Sequence, residues 1–349
     1  MEIETVKASG SHYQVGLQIG AQCRRQIVHS LQQLRQHLPL GKNYQRMLEA
    51  SQPYLNATKQ VFPQYIEEMK GLAEGAEVPF EDVFLSMCEE LWETAAWRGC
   101  TDMAARGNAT LDGSTLVAHT NDLAPDAEED LVILQIKAEG EPEFLGVSSG
   151  AIAYSAGFNA AGVSLTGNQL DNNDIHPGVP RLVMVRALLA AKNISQALTL
   201  CLLPQRASSY DNFLADKYGE VYAMEGSATD CEPIYISGDT LAHSNHYVTP
   251  RMKVFEANPD EIGNSIMRYN RANRLLSDHY GSHSPELFKT LLADHASYPA
   301  SICKHQPDNS TIFSIIIQLE TLTAWIGKGK PCETEYFTYH LDPYESDPK

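Results

Sequence analysis

The chain has 349 residues, a formal net charge of −18, 43% hydrophobic and 20% charged residues, an ordinary globular composition able to bury a large core without a disulfide or metal. The acidic balance argues against nucleic acid, whose backbone demands clustered Lys and Arg, and mildly against an anionic membrane surface. No apolar run reaches the ~18 residues that span a bilayer, and the Met-Glu-Ile-Glu start lacks the basic and apolar segments of a secretory leader, so a cytoplasmic protein with free thiols is expected.

The first ninety or so residues read as helical. Gln14–Leu38 carries Val15, Ile19, Ile27, Leu31 and Leu34 at helical spacing, Tyr54–Ala73 does likewise, and Pro79-Phe80-Glu81-Asp82 reads as a helix start. After Cys100 the character changes to short apolar runs bounded by Gly, Pro or Asp, the signature of strands. These runs are Thr115–Ala118, Leu131–Ile136, Phe144–Val147 and Val163–Leu165, with Gly157–Gly162 as a tight connection. A helix is expected over Arg181–Leu203. Strands follow at Asn212–Ala215, Val221–Met224, Ile234–Ile236 and Thr240–His243, with a hairpin connection at Asp216–Glu220. Helices come next at Asn264–His279 and Pro285–His295, then strands at Thr311–Gln318, Ala324–Ile326 and Glu335–Tyr339. Strands in meanders without β-α-β alternation indicate an antiparallel α+β domain rather than a doubly wound sheet.

Four segments carry candidate chemistry. Arg98-Gly99-Cys100-Thr101 sits where helical sequence gives way to strand sequence. A thiol needs a base, and a chain that cuts itself before a cysteine creates one, the new α-amine, with a reference pKa of ~7.7–8.0. A preceding glycine has no Cβ to block attack on its carbonyl. Gly146-Val147-Ser148-Ser149-Gly150 matches G-x-S-x-G, but the elbow requires a following helix, and a glycine-rich stretch leading into a strand follows instead. His243-Ser244-Asn245-His246 has two histidines three apart, yet there is no H-E-x-x-H and no Cys-x-x-Cys in the chain, so no metal and no cofactor are expected. A side-chain amide at Asn245 can instead stabilise developing negative charge. Asp122 closes His119-Thr120-Asn121-Asp122, where it can orient an amine.

Together these segments resemble the penicillin acyltransferase family of N-terminal-nucleophile hydrolases. The likeness runs through Gly10-Ser11-His12-Tyr13-Gln14-Val15-Gly16, Gly71-Leu72-Ala73-Glu74-Gly75-Ala76, Gly99-Cys100-Thr101, Asp122 and Gly157-Phe158-Asn159-Ala160-Ala161-Gly162-Val163. It continues through Gly178-Val179-Pro180 before a helix with Arg186, His243-Ser244-Asn245-His246, and Tyr298-Pro299-Ala300-Ser301-Ile302-Cys303-Lys304. Lys304 stands where the family carries arginine, and the two are not interchangeable at a bidentate site. The segment before Asp122 also departs from the family's pattern, so a penicillin substrate is not carried over.

The resemblance implies a four-layer αββα sandwich of two antiparallel sheets, cut between Gly99 and Cys100. Residues 1–99 would become a helical chain that stays bound to a catalytic chain, 100–349. It implies Cys100 as nucleophile, Asn245 in the oxyanion hole, Asp122 orienting the amine, and Thr101, Phe158, Asn159 and Lys304 as substrate-contacting positions. The expected substrate is a small amide or thioester, with hydrolysis of an N-acyl amide favoured over transfer from coenzyme A because the acidic chain offers no evident cradle for phosphates. The competing readings are a coenzyme A-dependent acyltransferase, an uncut ligand-binding protein and a serine hydrolase using Ser148. The oligomeric state is not legible.

Overall fold

The computed structural model describes residues 2–36, 43–92 and 99–344; Arg98 and the expected helix end at Leu38 lie outside them. In chain order the N-terminal part comprises β1 (Thr5–Gly10), α1 (His12–Gln22), α2 (Arg24–Gln36), α3 (Tyr44–Val61), α4 (Pro63–Ala76), α5 (Phe80–Met87) and α6 (Glu89–Trp92). Then come β2 (Gly99–Gly107), β3 (Gly113–Leu123), β4 (Leu131–Ala138), β5 (Phe144–Ser149), β6 (Ala153–Asn159), β7 (Val163–Asn168), α7 (Arg181–Leu189) and α8 (Ile194–Cys201). The remainder is β8 (Asp211–Asp216), β9 (Val221–Gly226), β10 (Cys231–Tyr235), β11 (Thr240–His243), α9 (Gly263–Asp278), α10 (Pro285–Leu292), β12 (Ser310–Gln318), β13 (Thr323–Lys328) and β14 (Tyr336–His340).

The strands form two sheets, ordered β1-β4-β5-β6-β7-β8-β9-β10 and β11-β2-β3-β12-β13-β14. Pairing is antiparallel except at the first edge, where β1 runs parallel to β4 with Thr5 opposite Ile133 and Gly10 opposite Ala138. Side chains alternate across each strand, and both faces are covered. Val132, Leu134 and Ile136 of β4 join α1, α4 and α7 in one core. Leu131 and Ile133, from the other face, meet Val117, Phe313 and Ile315 of the second sheet. Met103, Leu116 and Ile316 pack beneath Leu275 of α9 and Phe288 of α10. Helix, sheet, sheet and helix therefore stack as the expected αββα sandwich. Two-sided burial explains why these strands read as apolar runs rather than alternating patterns. No helix among the described residues is long and apolar enough to cross a membrane.

Three expected helices are each two. The first breaks at Cys23, whose φ/ψ of −106°/19° departs from the helix. The second starts earlier than expected, at Tyr44 capped by Asn43, runs through Pro53, and stops at Phe62, since a residue before proline is pushed out of the α region. The third stops at Ala190 and restarts behind Asn193, whose side chain caps Gln196 N at 2.9 Å. Sequence reasoning also missed β1, β2 and β6. In β2 the run Met103-Ala104-Ala105 favours helix by intrinsic preference, and pairing on both sides overrides it.

α1 and α4 touch backbone to backbone. A Cβ built on Gly71 would lie 2.1 Å from the Tyr13 carbonyl oxygen, and one on Gly16 would lie 1.8 Å from that of Glu68. In an open helix Gly→Ala gains about 1 kcal/mol. Here Gly71→Ala must push two helices apart, so the expected result is a loss of about 1–3 kcal/mol, read from the midpoint of urea unfolding.

Candidate active site

The site is built on the antiparallel pair β2 and β3, in which Gly99 faces Asp122, Cys100 faces Asn121 and Asp102 faces His119. Alternation sorts these residues onto two faces. Cys100, Asp102, His119 and Asn121 point between the sheets; Gly99, Thr101 and Asp122 point toward the α9–α10 layer.

On the inner face, the Asn121 amide lies 3.7 Å from the Cys100 sulfur. The thiol lines a cavity of about 460 Å³ whose wall includes Leu123, Ile152, Tyr154, Leu165, Leu182 and Val185, with polar groups from Gln33, Glu89, Gln169, Arg181, Asp211 and Asn212. Ser30, Gln33, Ser86, Glu89 and Trp92 belong to this wall, so residues before Gly99 help to shape the chamber. Arg181 pairs with Glu89 and lies over the Tyr210 ring at 3.6 Å.

Beside Cys100 a chain of buried polar groups crosses from one sheet to the other. His119 Nδ1 is 2.8 Å from Asp102. Asn168 donates to Asp102 at 2.6 Å and to Asp211 at 3.2 Å. His243 bridges Asp211 at 3.1 Å and Glu225 at 2.9 Å, and Glu225 also accepts from Val248 N, Thr249 N and the Thr249 hydroxyl. Burial opposes a charged His119, but the Asp102 carboxylate and the adjoining Cys100 outweigh it and raise its pKa to about 10. Burial likewise works against His243, and Asp211 and Glu225 still raise it to about 9. Burial pushes Asp211 up to about 7, with His243 opposing.

On the outer face, Arg268 of α9 donates to the Cys100 carbonyl oxygen, to the Thr101 hydroxyl at 3.0 Å and to Asn245 Oδ1 at 2.7 Å. The same Asn245 oxygen accepts the Cys100 backbone N–H at 2.8 Å, while its amide nitrogen donates to the Gln169 carbonyl at 3.1 Å. Lys304 Nζ lies 3.4 Å from Asp122 Oδ2, and Asp122 also accepts from the Thr311 hydroxyl at 2.7 Å. This pair packs on Gly99: a Cβ there would meet Lys304 Nζ at 2.3 Å and Asp122 Oδ2 at 2.7 Å. The glycine thus leaves room for two opposite charges against the Gly99–Cys100 peptide.

The structure brings Cys100, Asn245, Asp122, Gly99 and Lys304 together around one peptide bond. The expected substrate-contact positions, Asn245 and Ser148 are placed as follows. Phe158 is fully buried in the intersheet core. Asn159 is a turn clamp, donating to Leu189 O and Ala191 O and accepting from Ala161 N and Val163 N. Thr101 faces Arg268, and Lys304 reaches Gly99 rather than the cavity. Asn245 presents its oxygen, not its amide N–H, to Cys100. Ser148 is a buried strand residue of β5 whose hydroxyl has no partner among the described residues.

Sequence reasoning missed Arg268, Asp102, Asn168, Asp211 and Glu225. For the four strand residues the one available signal was a polar residue beside a short apolar run; Arg268, on α9, carried none. His295, Cys303, His305 and Cys332 form a further cluster able to hold a metal.

The chain is similar in sequence to known proteins. The acyl-coenzyme A:6-aminopenicillanic-acid-acyltransferase 40 kDa form of Emericella nidulans is 27% identical over 284 residues, 78% of this chain and 77% of that protein. The beta-alanyl-dopamine/carcinine hydrolase of Drosophila melanogaster is 26% identical over 371 residues, 93% of this chain and 92% of that protein. Among solved structures, a mutant conjugated bile acid hydrolase from Clostridium perfringens aligns with a TM-score of 0.46 and 12% identity, covering 72% of this chain and 99% of that one. Residues 109–333 match the family described as acyl-coenzyme A:6-aminopenicillanic acid acyl-transferase, and the chain belongs to that family.

Proposed function

We propose that this protein is a self-cleaving cysteine amidohydrolase or acyltransferase in which Cys100 is both the processing nucleophile and, once freed, the catalytic one. The observation that carries the reading is the position of Cys100. Its thiol opens on the cavity while its own peptide nitrogen and carbonyl are held by Asn245 and Arg268.

In processing, the Cys100 sulfur attacks the Gly99 carbonyl carbon. The Gly99–Cys100 C–N bond breaks, the nitrogen takes the thiol proton, and a thioester joins Gly99 to the Cys100 side chain. Water then hydrolyses the thioester, leaving a Gly99 carboxyl group and a free Cys100 α-amine. No α-amine exists before the cut, so the sulfur's developing charge needs another donor. His119 supplies a buried imidazolium beside it and Asn121 an amide.

In turnover, the α-amine takes the thiol proton as the sulfur attacks the substrate carbonyl, and returns it to the leaving amine or thiol. The acyl-cysteine then passes to water or an acceptor amine. Asn245 Oδ1, held by Arg268, aims the α-amine. Asn121, whose amide lies 3.7 Å from the sulfur, is the side chain that donates to the oxyanion, an interaction typically worth about 3–4 kcal/mol of barrier. The largely apolar cavity suits a small N-acyl amide. Transfer from an acyl-coenzyme A is the second reading, favoured by the family match over residues 109–333. The two cleaved chains stay associated, since β1 is a strand of the first sheet.

Intact-mass measurement of the purified protein tests the reading. Two polypeptides are expected, the larger beginning at Cys100. A wild-type chain that stays whole through prolonged incubation, yet turns over substrate, would overturn it. A screen across N-acyl amino acids, acylated amines, β-lactams and acyl thioesters, with and without an amine acceptor, separates hydrolysis from transfer.

A further inference from the structure

Four potential ligands converge on the outer side of the second sheet, from three separate parts of the chain. His295 follows α10, Cys303 and His305 precede β12, and Cys332 lies between β13 and β14. Their donor atoms all lie within 4.8 Å of one another. His305 Nε2 is 3.0 Å from His295 Nε2, 3.2 Å from Cys332 Sγ and 3.5 Å from Cys303 Sγ. The two sulfurs are 3.7 Å apart. A tetrahedral zinc ion with ordinary Zn–S and Zn–N bonds has edges of about 3.8 Å between sulfurs, ~3.4 Å between nitrogens and ~3.5 Å between sulfur and nitrogen. These four separations fall on or slightly inside those of such a tetrahedron.

The geometry points to a structural Cys2His2 zinc site formed by His295, Cys303, His305 and Cys332. Four protein ligands complete a tetrahedron and leave no open position for substrate, which marks a structural rather than a catalytic centre. On binding, the two thiols each release a proton and the imidazoles bind neutral, so two thiolates balance the ion's charge and the centre is neutral. Glu333 lies 3.7 Å from His305 Nδ1, on the far side of the ring from the cluster, where a carboxylate can fix the ligating imidazole.

The site has a bearing on the peptide at Gly99. Cys303 and His305 flank Lys304, and the three alternate in direction. The flanking side chains face the cluster, and Lys304 faces Asp122 and Gly99. A metal here pins both neighbours of that lysine, and ties the segment to α10 and to the β13–β14 connection. The assignment stands whether or not the chain cuts itself.

The test uses the full chain, purified under reducing conditions without chelator. Elemental analysis should find about one zinc ion per chain. Cobalt(II) titrated into the metal-stripped protein should give the sulfur-to-cobalt charge-transfer band and the intense visible bands of a tetrahedral thiolate site. Cys332→Ser and His295→Ala should each weaken binding by more than the roughly 10–100-fold that loss of an outer-shell partner costs. Alkylation of Cys332 should slow when zinc is added. Three results would overturn the assignment: a folded wild-type chain with neither retained zinc nor a cobalt spectrum; binding unchanged in both variants; or a Cys303–Cys332 disulfide in protein isolated under non-oxidising conditions. The wild-type cobalt titration decides the matter even where a variant fails to fold.

Discussion

Cys100→Ala should be recovered as one uncut chain of 38.6 kDa with acyl-transferring activity reduced by roughly 10⁴-fold or more. The same sulfur is asked to break the Gly99–Cys100 bond and to attack substrate, so one substitution removes both events, and mass spectrometry and a turnover assay read them separately. Cys100→Ser keeps an oxygen nucleophile in the same place and should cut slowly. Ser148→Ala should leave cleavage and turnover unchanged, because removing a buried hydroxyl without partners is nearly neutral or stabilising. If Ser148→Ala abolished turnover while Cys100→Ser retained it, the nucleophile would have to be reassigned.

Asp102→Asn should cost about 3–5 kcal/mol, the penalty for leaving half of a buried ion pair uncompensated. Its signature is in the pH dependence. In the wild type, Asp102 and the adjoining Cys100 raise His119 against the opposing effect of burial, to about 10. A histidine raised on folding contributes stability that is complete below its unfolded pKa of ~6.5 and is lost as pH rises through its folded value. The difference in unfolding free energy between wild type and Asp102→Asn should therefore be greatest below pH ~6.5 and shrink steadily toward pH ~10. Urea unfolding at several pH values measures it; a difference that does not vary with pH would show that the pair is not charged. Because Asn168 joins Asp102 to Asp211, the substitution should also loosen the contact between the two sheets.

The parts of this architecture legible in the sequence are those written in consecutive residues. Turn residues between short apolar runs gave the strand meanders. Gly99-Cys100, Asp122, Asn245 and Lys304 stand in local motifs, and the folded chain gathers them around one peptide bond. What escaped depends on pairing at long range. Asp102, Asn168, Asp211 and Glu225 come from four different strands, and no local pattern links a carboxylate in β2 to an amide in β7. Arg268 sits on a helix whose other polar residues are mostly exposed, so nothing distinguishes it until α9 is laid over β2. Phe158 and Asn159 present the opposite case. Their motif is local, and in the fold it builds a hairpin turn. The helix breaks at Phe62 and Asn193 were written locally, as a residue before proline and an N-cap, and were outweighed by the apolar periodicity around them.

The parallel pairing of β1 with β4 places one partner on each side of the Gly99–Cys100 bond. In the uncut chain that strand pair closes by an intramolecular search. Once the bond is cut, the same pairing, and the burial of α1 and α4 against the first sheet, become an association between two molecules. Folding then acquires a molecularity that it did not have before. The mature protein should refold at a rate that depends on its concentration, more slowly as the two separated chains are diluted. Cys100→Ala should refold by first-order kinetics at any concentration. If the chain cuts itself as proposed, a unimolecular folding problem becomes a two-chain assembly, with the peptide bond needed to build the chamber and not to keep it.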